Sequence, residues 1–371
     1  MTHRKATAVY VITKHGLPLG LQLLEQLPQS DLYVSQKIPA PDRARLIPCQ
    51  LPLTPLLEET FFRYDCHVFV ISVGAVVRMI APYLRDKKRD PAVVCVDDAG
   101  RYAISLLSGH VGRGNEWTQT VARILEAEAV ITTASDVQGT LTVDILGREL
   151  GWSLDDPDRH VTLGCAAVVN ERPVLIIQET GEPHFWPLDK VWPPGVQYTR
   201  SWETVKPEDW EMLLMISDRD LERIQPEAYA RGIVYRPKSL VLGIGCDRGI
   251  PVDRLERGIL QTLREFQLSP RSVGTVASLD LKADELGLLE LCKRYGWQTQ
   301  FYSAEDLKAV AGVERPSATV ASHTGTPSVS EAACLKAAGT SRLLVPKQKY
   351  REPDGPEAMT VAVARRDYPN R

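Results

Sequence analysis

Tyr102-Ala103-Ile104-Ser105-Leu106-Leu107-Ser108-Gly109-His110-Val111-Gly112-Arg113-Gly114-Asn115-Glu116-Trp117 decides how this chain is to be read. Tyr102 to Leu107 is apolar enough for a buried strand, and Trp117 to Leu125 carries apolar residues at helical spacing, so the glycine-rich piece between them is a strand-to-helix turn. Turns of this kind are where α/β folds bind ligands. Gly109, Gly112 and Gly114 let the backbone approach a ligand closely or take a positive φ. The helix that follows offers unpaired N–H groups and the positive end of its dipole to an anion. His110, a group that exchanges protons near neutral pH, stands inside the turn, where core packing is a poor explanation for it.

The same alternation extends to both sides. Upstream, Ala8 to Thr13 reads as a strand, Gly16 to Leu27 as a helix, Pro39 to Pro55 as a connection, and His67 to Val73 as a strand running into Gly74 and a helix from Ala75 to Leu84. Arg85 to Asp90 alternates in sign and reads as a solvated loop, followed by a strand from Ala92 to Val96. Downstream, a strand from Ala129 to Thr133 leads through Ala134-Ser135-Asp136-Val137 to a helix from Val143 to Leu150. Alternating strand and helix predict a mainly parallel, doubly wound sheet.

From 151 to 236 prolines at 157, 173, 183, 187, 193, 194 and 207 interrupt the pattern, with Trp186, Trp192, Trp202 and Trp210 among them. A small irregular α+β middle region is expected, its tryptophans acting as packing anchors, although a flat macrocycle would also suit them. A second α/β block opens with the strand Leu240 to Ile244 and the turn Gly243-Ile244-Gly245-Cys246-Asp247-Arg248-Gly249. A helix from Pro251 to Phe266, a strand from Val273 to Ser278, a helix from Ala283 to Tyr295, a strand from Gln298 to Tyr302, a helix ending at Ala338, and strands from Arg342 to Val345 and Met359 to Ala364 complete it. The expected organisation is 1–150, an amino-terminal α/β domain; 151–236, a middle region or linker; and 237–371, a carboxy-terminal α/β domain.

Composition excludes several classes. With 371 residues and a net charge of -3 from interspersed charges, there is no basic footprint for nucleic acid and no polybasic membrane anchor. No apolar run approaches the roughly 20 residues of a membrane span, and a cytoplasmic location is the expectation. Seven cysteines, none in a Cys-x-x-Cys pair, fit reduced thiols and give neither a zinc site nor a disulfide framework. The remaining histidines show no ligand spacing, so no protein-bound metal is expected.

The glycines at 109, 112 and 114, and at 243, 245 and 249, both miss the Gly-x-Gly-x-x-Gly spacing of a dinucleotide fold, and no Gly-Lys-Ser/Thr sequence occurs. Cys246 after its strand is a small buried residue or a nucleophile. Lys282 and Glu285 are an exposed ion pair at a helix start or part of a site. Ser328 and Glu331 have the spacing of a capping box, with ligand contact as the rival.

Taken together, Leu107-Ser108-Gly109-His110 with Gly112 and Asn115-Glu116, then Val130-Ile131-Thr132-Thr133-Ala134-Ser135-Asp136, resemble the amino-terminal part of the cobalamin-biosynthesis CbiG family of cobalt-precorrin-5A hydrolases. Gly243-Ile244-Gly245-Cys246, Ala277-Ser278-Leu279-Asp280-Leu281-Lys282 with Glu285, and Ser328-Val329-Ser330-Glu331-Ala332-Ala333 resemble its carboxy-terminal part, over roughly residues 60 to 364. The resemblance implies a cobalt corrinoid substrate in the anaerobic route to vitamin B12, whose δ-lactone is opened by water and whose extruded carbon leaves with its methyl group as acetaldehyde, giving cobalt-precorrin-5B. It implies no separate cofactor, because the cobalt arrives with the substrate.

A lactone carbonyl needs a base to activate water and donors where the oxyanion develops. His110 is the candidate base, with Glu116 and Ser108 beside it as further catalytic candidates. Substrate contacts are expected from Gly74, Gly109, Gly112, Gly114, Asn115, Thr132, Thr133 and Asp136, and in the second block from Gly243, Gly245, Cys246, Ser278, Lys282, Glu285, Ser328, Ser330 and Glu331. The turns of the two blocks are expected to face a common cleft. Other enzymes of the cobalamin pathway and a second copy of the chain are partners left open. The rival readings are a corrinoid-binding or handover protein without catalysis, and a nucleotide-dependent enzyme on the same scaffold.

Overall fold

A computed structural model describes residues 5–134, 139–187, 189–318, 321–322, 325–353 and 357–368. The chain forms two compact units, Met1–Ile145 and Leu146–Arg371.

The first unit is one seven-stranded sheet in the order β3-β2-β1-β4-β5-β6-β7. Its strands are β1 (Lys5–Val11), β2 (Ser30–Ser35), β3 (Leu46–Cys49), β4 (Tyr64–Val70), β5 (Ala92–Val96), β6 (Tyr102–Leu107) and β7 (Glu128–Val130). Helices α1 (Gly16–Gln26), α2 (Thr54–Thr60), α3 (Val73–Ile80) and α4 (Gly114–Leu125) cover it. Successive strand residues point to opposite faces, and both faces are buried. Val9, Val11, Val68, Val70, Val94 and Val96 meet Leu23 and Leu24 of α1 and Val121 and Leu125 of α4. Ala8, Tyr10, Phe69, Val93 and Cys95 meet Leu57 of α2 and Val76 and Ile80 of α3. Each such aliphatic side chain contributes about 1.5–3 kcal/mol of burial, which is why these strands read as unbroken apolar runs. His67 belongs to this core, with Tyr10 Oη 3.1 Å from its Nδ1 and the Phe61 carbonyl 2.9 Å from its Nε2.

One reversal matters for function. β1, β2, β3, β4 and β5 are mutually parallel, but β6 runs antiparallel to β5, and β7 is parallel to β6. Residues 97–101 are too few for the crossover a parallel pair needs. They form a tight turn instead, in which the Asp97 carboxylate accepts the N–H groups of Arg101 and Tyr102, both at 2.7 Å.

Three sequence expectations change here. The connection from Pro39 to Pro55 contains β3 and the start of α2, and β2 was not anticipated at all. The helix expected from Val143 to Leu150 is two 3₁₀ turns, Val143–Ile145 and Arg148–Leu150, broken at Gly147, whose φ is 71°. Arg85 to Asp90 is a loop as expected, but Asp90 is buried and its carboxylate receives the Arg85 N–H.

The second unit carries two sheets. The first, in the order β10-β9-β11-β12-β8, joins β8 (Ser153–Leu154), β9 (Val174–Gln178), β10 (Val196–Thr199), β11 (Met212–Ile216) and β12 (Ile233–Arg236), all parallel except the β8 edge. Helices α5 (Val161–Val169), α6 (Leu221–Ile224) and α7 (Pro226–Arg231) accompany it. The middle region is thus more regular than its prolines suggest. The second sheet, β15-β14-β13-β17-β16, joins β13 (Leu240–Cys246), β14 (Val273–Leu279), β15 (Gln298–Tyr302), β16 (Leu343–Arg351) and β17 (Ala358–Arg365). β13, β14 and β15 are parallel, while β17 is antiparallel to both β13 and β16. Its helices are α8 (Val252–Glu265), α9 (Leu286–Tyr295), α10 (Ala304–Lys308) and α11 (Val329–Ala338). The two sheets are tied at Asp218, fully buried, whose carboxylate accepts Nε and Nη2 of Arg365 at 2.7 and 2.8 Å and the hydroxyl of Ser239 at 2.8 Å.

Candidate active site

The glycine-rich turn folds back on itself more tightly than its sequence reveals. Gly109, Gly112 and Gly114 do not have positive φ; the left-handed residues are Ser108, at 54°, and Arg113, at 63°. The glycines are required by close approach instead. A Cβ on Gly114 would lie 2.6 Å from the Leu107 carbonyl oxygen, one on Gly112 would lie 2.5 Å from Ser108 Cβ, and one on Gly109 would lie 2.8 Å from Asn115 Oδ1. Non-glycine residues held in the left-handed region cost about 1 kcal/mol or more each and are a common mark of functional turns.

Side chains around the turn hold it in place. Ser108 Oγ donates to the Asp90 carbonyl at 3.0 Å. Asn115, 5% exposed, accepts from Ser105 Oγ at 2.7 Å and donates to Thr133 Oγ1 at 2.9 Å, linking β6 to the residues after β7. Glu116 pairs with Arg113 Nε at 2.6 Å. Ser108, Asn115 and Glu116, expected to act on substrate, make intramolecular bonds around the turn. Thr132 is exposed beside them, and Asp136 lies outside the described residues.

His110 is different. Its Nδ1 lies 3.3 Å from both carboxylate oxygens of Asp144, with Oδ2 in hydrogen-bonding geometry, and the two side chains are 14% and 9% exposed. With the proton on Nδ1, the Asp144 carboxylate accepts it and the basic lone pair is the one on Nε2. This is the arrangement of a positioned general base. Asp144 was missed in the sequence, because a partner 34 residues away leaves no spacing signal.

Gly74 does not join this group. It follows β4, whose Val70 is aligned with Val96 and, through it, with Ala103 near the start of β6, whereas the His110 turn follows Leu107, aligned with Val93 at the start of β5. The five-residue β5 separates the two ends of the sheet by roughly 17 Å. The reversal at residues 97–101 is the cause.

In the second unit most of the expected residues make packing contacts or bonds within the protein. Gly243 carries the close packing of α11, because a Cβ there would collide with the Ser330 carbonyl, and a Cβ on Gly245 would lie 2.7 Å from Thr360 Oγ1. Ser278 Oγ donates to the Ile244 carbonyl at 2.7 Å. Burial pushes the Cys246 thiol up to about 11, against the thiolate a nucleophile requires. Glu285, 3% exposed, accepts the Gly249 N–H at 2.9 Å and lies 3.5 Å from Lys282 Nζ, so this pair is largely buried, which disagrees with the first of its two readings, an exposed ion pair. The capping box is not formed: Ser328 makes no side-chain cap bond, and the Glu331 carboxylate accepts the N–H groups of Glu314, Arg315 and Lys347 at 2.9, 2.8 and 2.8 Å. Ser328 and Ser330 are the expected residues whose side chains take no part in these bonds among the described residues.

Trp186, Trp192 and Tyr198 stack on one another, with centroids 5.1 and 5.5 Å apart, and Lys190 Nζ lies 4.6 Å from the Trp186 ring centroid. Their faces serve packing, the first of the two readings above. Among the described residues no group of three or more His, Cys, Asp or Glu is arranged to hold a metal ion, and no helix is long and apolar enough to cross a membrane.

Three family profiles match the chain in succession: cobalamin synthesis G N-terminal over residues 55–136, cobalamin biosynthesis central region over 141–237, and cobalamin synthesis G C-terminus over 240–364. The cobalt-precorrin-5A hydrolase of Priestia megaterium is 40% identical over 351 residues, 94% of this chain and 93% of that one. The Salmonella typhimurium protein of the same name is 29% identical over 315 residues, 82% and 84% of the two chains. A solved cobalamin biosynthesis protein G homologue from Sulfolobus solfataricus aligns over 98% of each chain, at 19% identity and a TM-score of 0.38.

Proposed function

This chain belongs to the cobalamin synthesis G family, and we propose that it is a cobalt-precorrin-5A hydrolase working on a corrinoid intermediate of cobalamin biosynthesis. The observation that carries the catalytic assignment is the His110–Asp144 pair inside the glycine-rich turn.

His110 Nε2 takes a proton from water as the oxygen attacks the lactone carbonyl, while Asp144 holds the ring and stabilises the imidazolium that forms. The acyl C–O bond then breaks, giving a carboxylate and an alcohol whose oxygen is protonated. In the second stage the alcohol proton is removed, the carbon–carbon bond to the macrocycle breaks, acetaldehyde leaves, and the electron pair passes to the macrocycle. Water is the only co-reactant. The cobalt belongs to the substrate, and no resident cofactor is invoked.

Thr132 and the backbone of residues 109–112 are the substrate contacts proposed for the first unit, and Lys282 supplies positive charge in the second. Feeding cobalt-precorrin-5A to the protein tests the reading, with acetaldehyde trapped and the macrocycle mass followed. Release of acetaldehyde by the wild type and its loss in a folded His110→Ala variant are the expected results. Tight corrinoid binding without acetaldehyde would instead favour a handover protein.

A further inference from the structure

The proposed substrate carries many carboxylate arms, and the first turn of α11 has donors to hold one. This helix is ten residues long and begins at Val329, which packs with Ala277 and Leu279 of β14; Gly245 near the end of β13 lies beneath the Val329 side chain. The helix therefore starts at the carboxyl ends of two parallel strands, where open α/β sheets take their ligands.

A helix start alone is ordinary; the two hydroxyls here are not. Ser328, in the N-cap position, and Ser330, the second residue of the helix, are each 1% exposed, and neither Oγ has a hydrogen-bond partner among the described residues. Buried hydroxyls are almost always paired, and an unpaired one is a cost the fold carries. Ser328 has the standard way out, accepting from an N–H of the first turn, and does not take it. Glu331, the acidic residue of that turn, is turned onto the amides of residues 314, 315 and 347. The first turn thus keeps its backbone N–H groups and two serine hydroxyls as donors within three consecutive residues, a set complementary to a carboxylate.

We infer that the start of α11, with Ser328 and Ser330, is the seat of one carboxylate arm of the corrinoid. The inference rests on the hydrolase reading for its ligand, but its test does not depend on turnover. The full chain is titrated with cobyrinic acid, a cobalt corrinoid with free carboxylates, and separately with its heptamethyl ester, following tryptophan fluorescence; melting temperatures are taken in parallel. In Ser328→Ala/Ser330→Ala, affinity for the free acid falls roughly tenfold to a hundredfold, the loss expected for hydrogen bonds to a charged group. Affinity for the ester is unchanged, and the melting temperature is not lowered. Ser328→Asp, which places a carboxylate of the protein's own at the helix start, raises the melting temperature and abolishes preference for the free acid.

Equal binding of the free acid by wild type and double variant overturns the inference, as does a wild type that does not bind it, or a double variant that melts several degrees lower. If acetaldehyde is released normally but the double variant keeps wild-type KM and affinity, the carboxylate seat fails and the hydrolase reading stands. If the affinity difference holds and no acetaldehyde appears, the reverse is true.

Discussion

Replacing Asp144 by Asn leaves a side chain of nearly the same shape and removes its charge. At 3.3 Å, a carboxylate and an imidazolium attract by about 5 kcal/mol in a medium of effective dielectric constant near 20. Part of that is offset by desolvation, so the net value is better taken from hydrogen bonds to charged groups, about 1.5–3 kcal/mol. Because the pair is 14% and 9% exposed, solvent screens it little. At about 1.4 kcal/mol per decade, kcat should fall roughly ten- to 150-fold. KM should stay near the wild-type value, because Asp144 acts on the base rather than on the substrate. Steady-state release of acetaldehyde measures both constants, with circular dichroism as the check on folding. The double variant His110→Ala/Asp144→Asn should be no slower than His110→Ala alone, as members of one catalytic unit behave. A folded Asp144→Asn enzyme within twofold of wild type, or losses that multiply in the double variant, would refute the pairing.

Gly114→Ala should lower both activity and stability, by about 1–3 kcal/mol for forced overpacking, because its Cβ meets two backbone carbonyls; Gly74→Ala, whose Cβ meets only the flexible end of Arg78, should leave acetaldehyde release unchanged. Asp218→Asn should lower the urea-unfolding free energy by about 2–3 kcal/mol, less than the full value for a buried pair because Arg365 is 36% exposed; a loss under 0.5 kcal/mol would show that the pair does not tie the two sheets. The Arg257 guanidinium holds the Glu352 carboxyl down at about 2, against 4.5 for the unfolded chain. A depressed carboxyl stabilises the fold above the unfolded value and loses that contribution as pH falls through the folded one. The melting-temperature gap between wild type and Glu352→Gln should therefore be steady above pH 5 and close between about 4.5 and 2; a gap that widens on acidification contradicts the assignment.

The α/β class was legible because a parallel strand buried on both faces has no polar residue to interrupt it, as in Ala92 to Val96 and Leu240 to Ile244. Gly74 was grouped with His110 because both follow strands and both precede helices. What separates them is residues 97–101, too short a connection for a crossover, which makes β6 antiparallel to β5 and sends the two turns to opposite ends of the sheet. The capping box failed for a different reason. Its spacing is local, whereas the amides that won Glu331 come from residues 314, 315 and 347 and reach it only after folding. Asp144 belongs to the same class of long-range facts. The middle sheet was hidden by prolines that lie in the connections and leave β9, β10, β11 and β12 intact.

The reversal between β5 and β6 gives the amino-terminal sheet two rims with unequal duties. One bears the His110 turn; the other bears the loops after β1, β4 and β5, where Gly74 is exposed. A dye or an affinity handle attached at position 74 would sit a full strand length from the reacting groups, with the packed sheet as insulation between them. Substrate arrival could then be followed on the working enzyme by a reporter that does not disturb it.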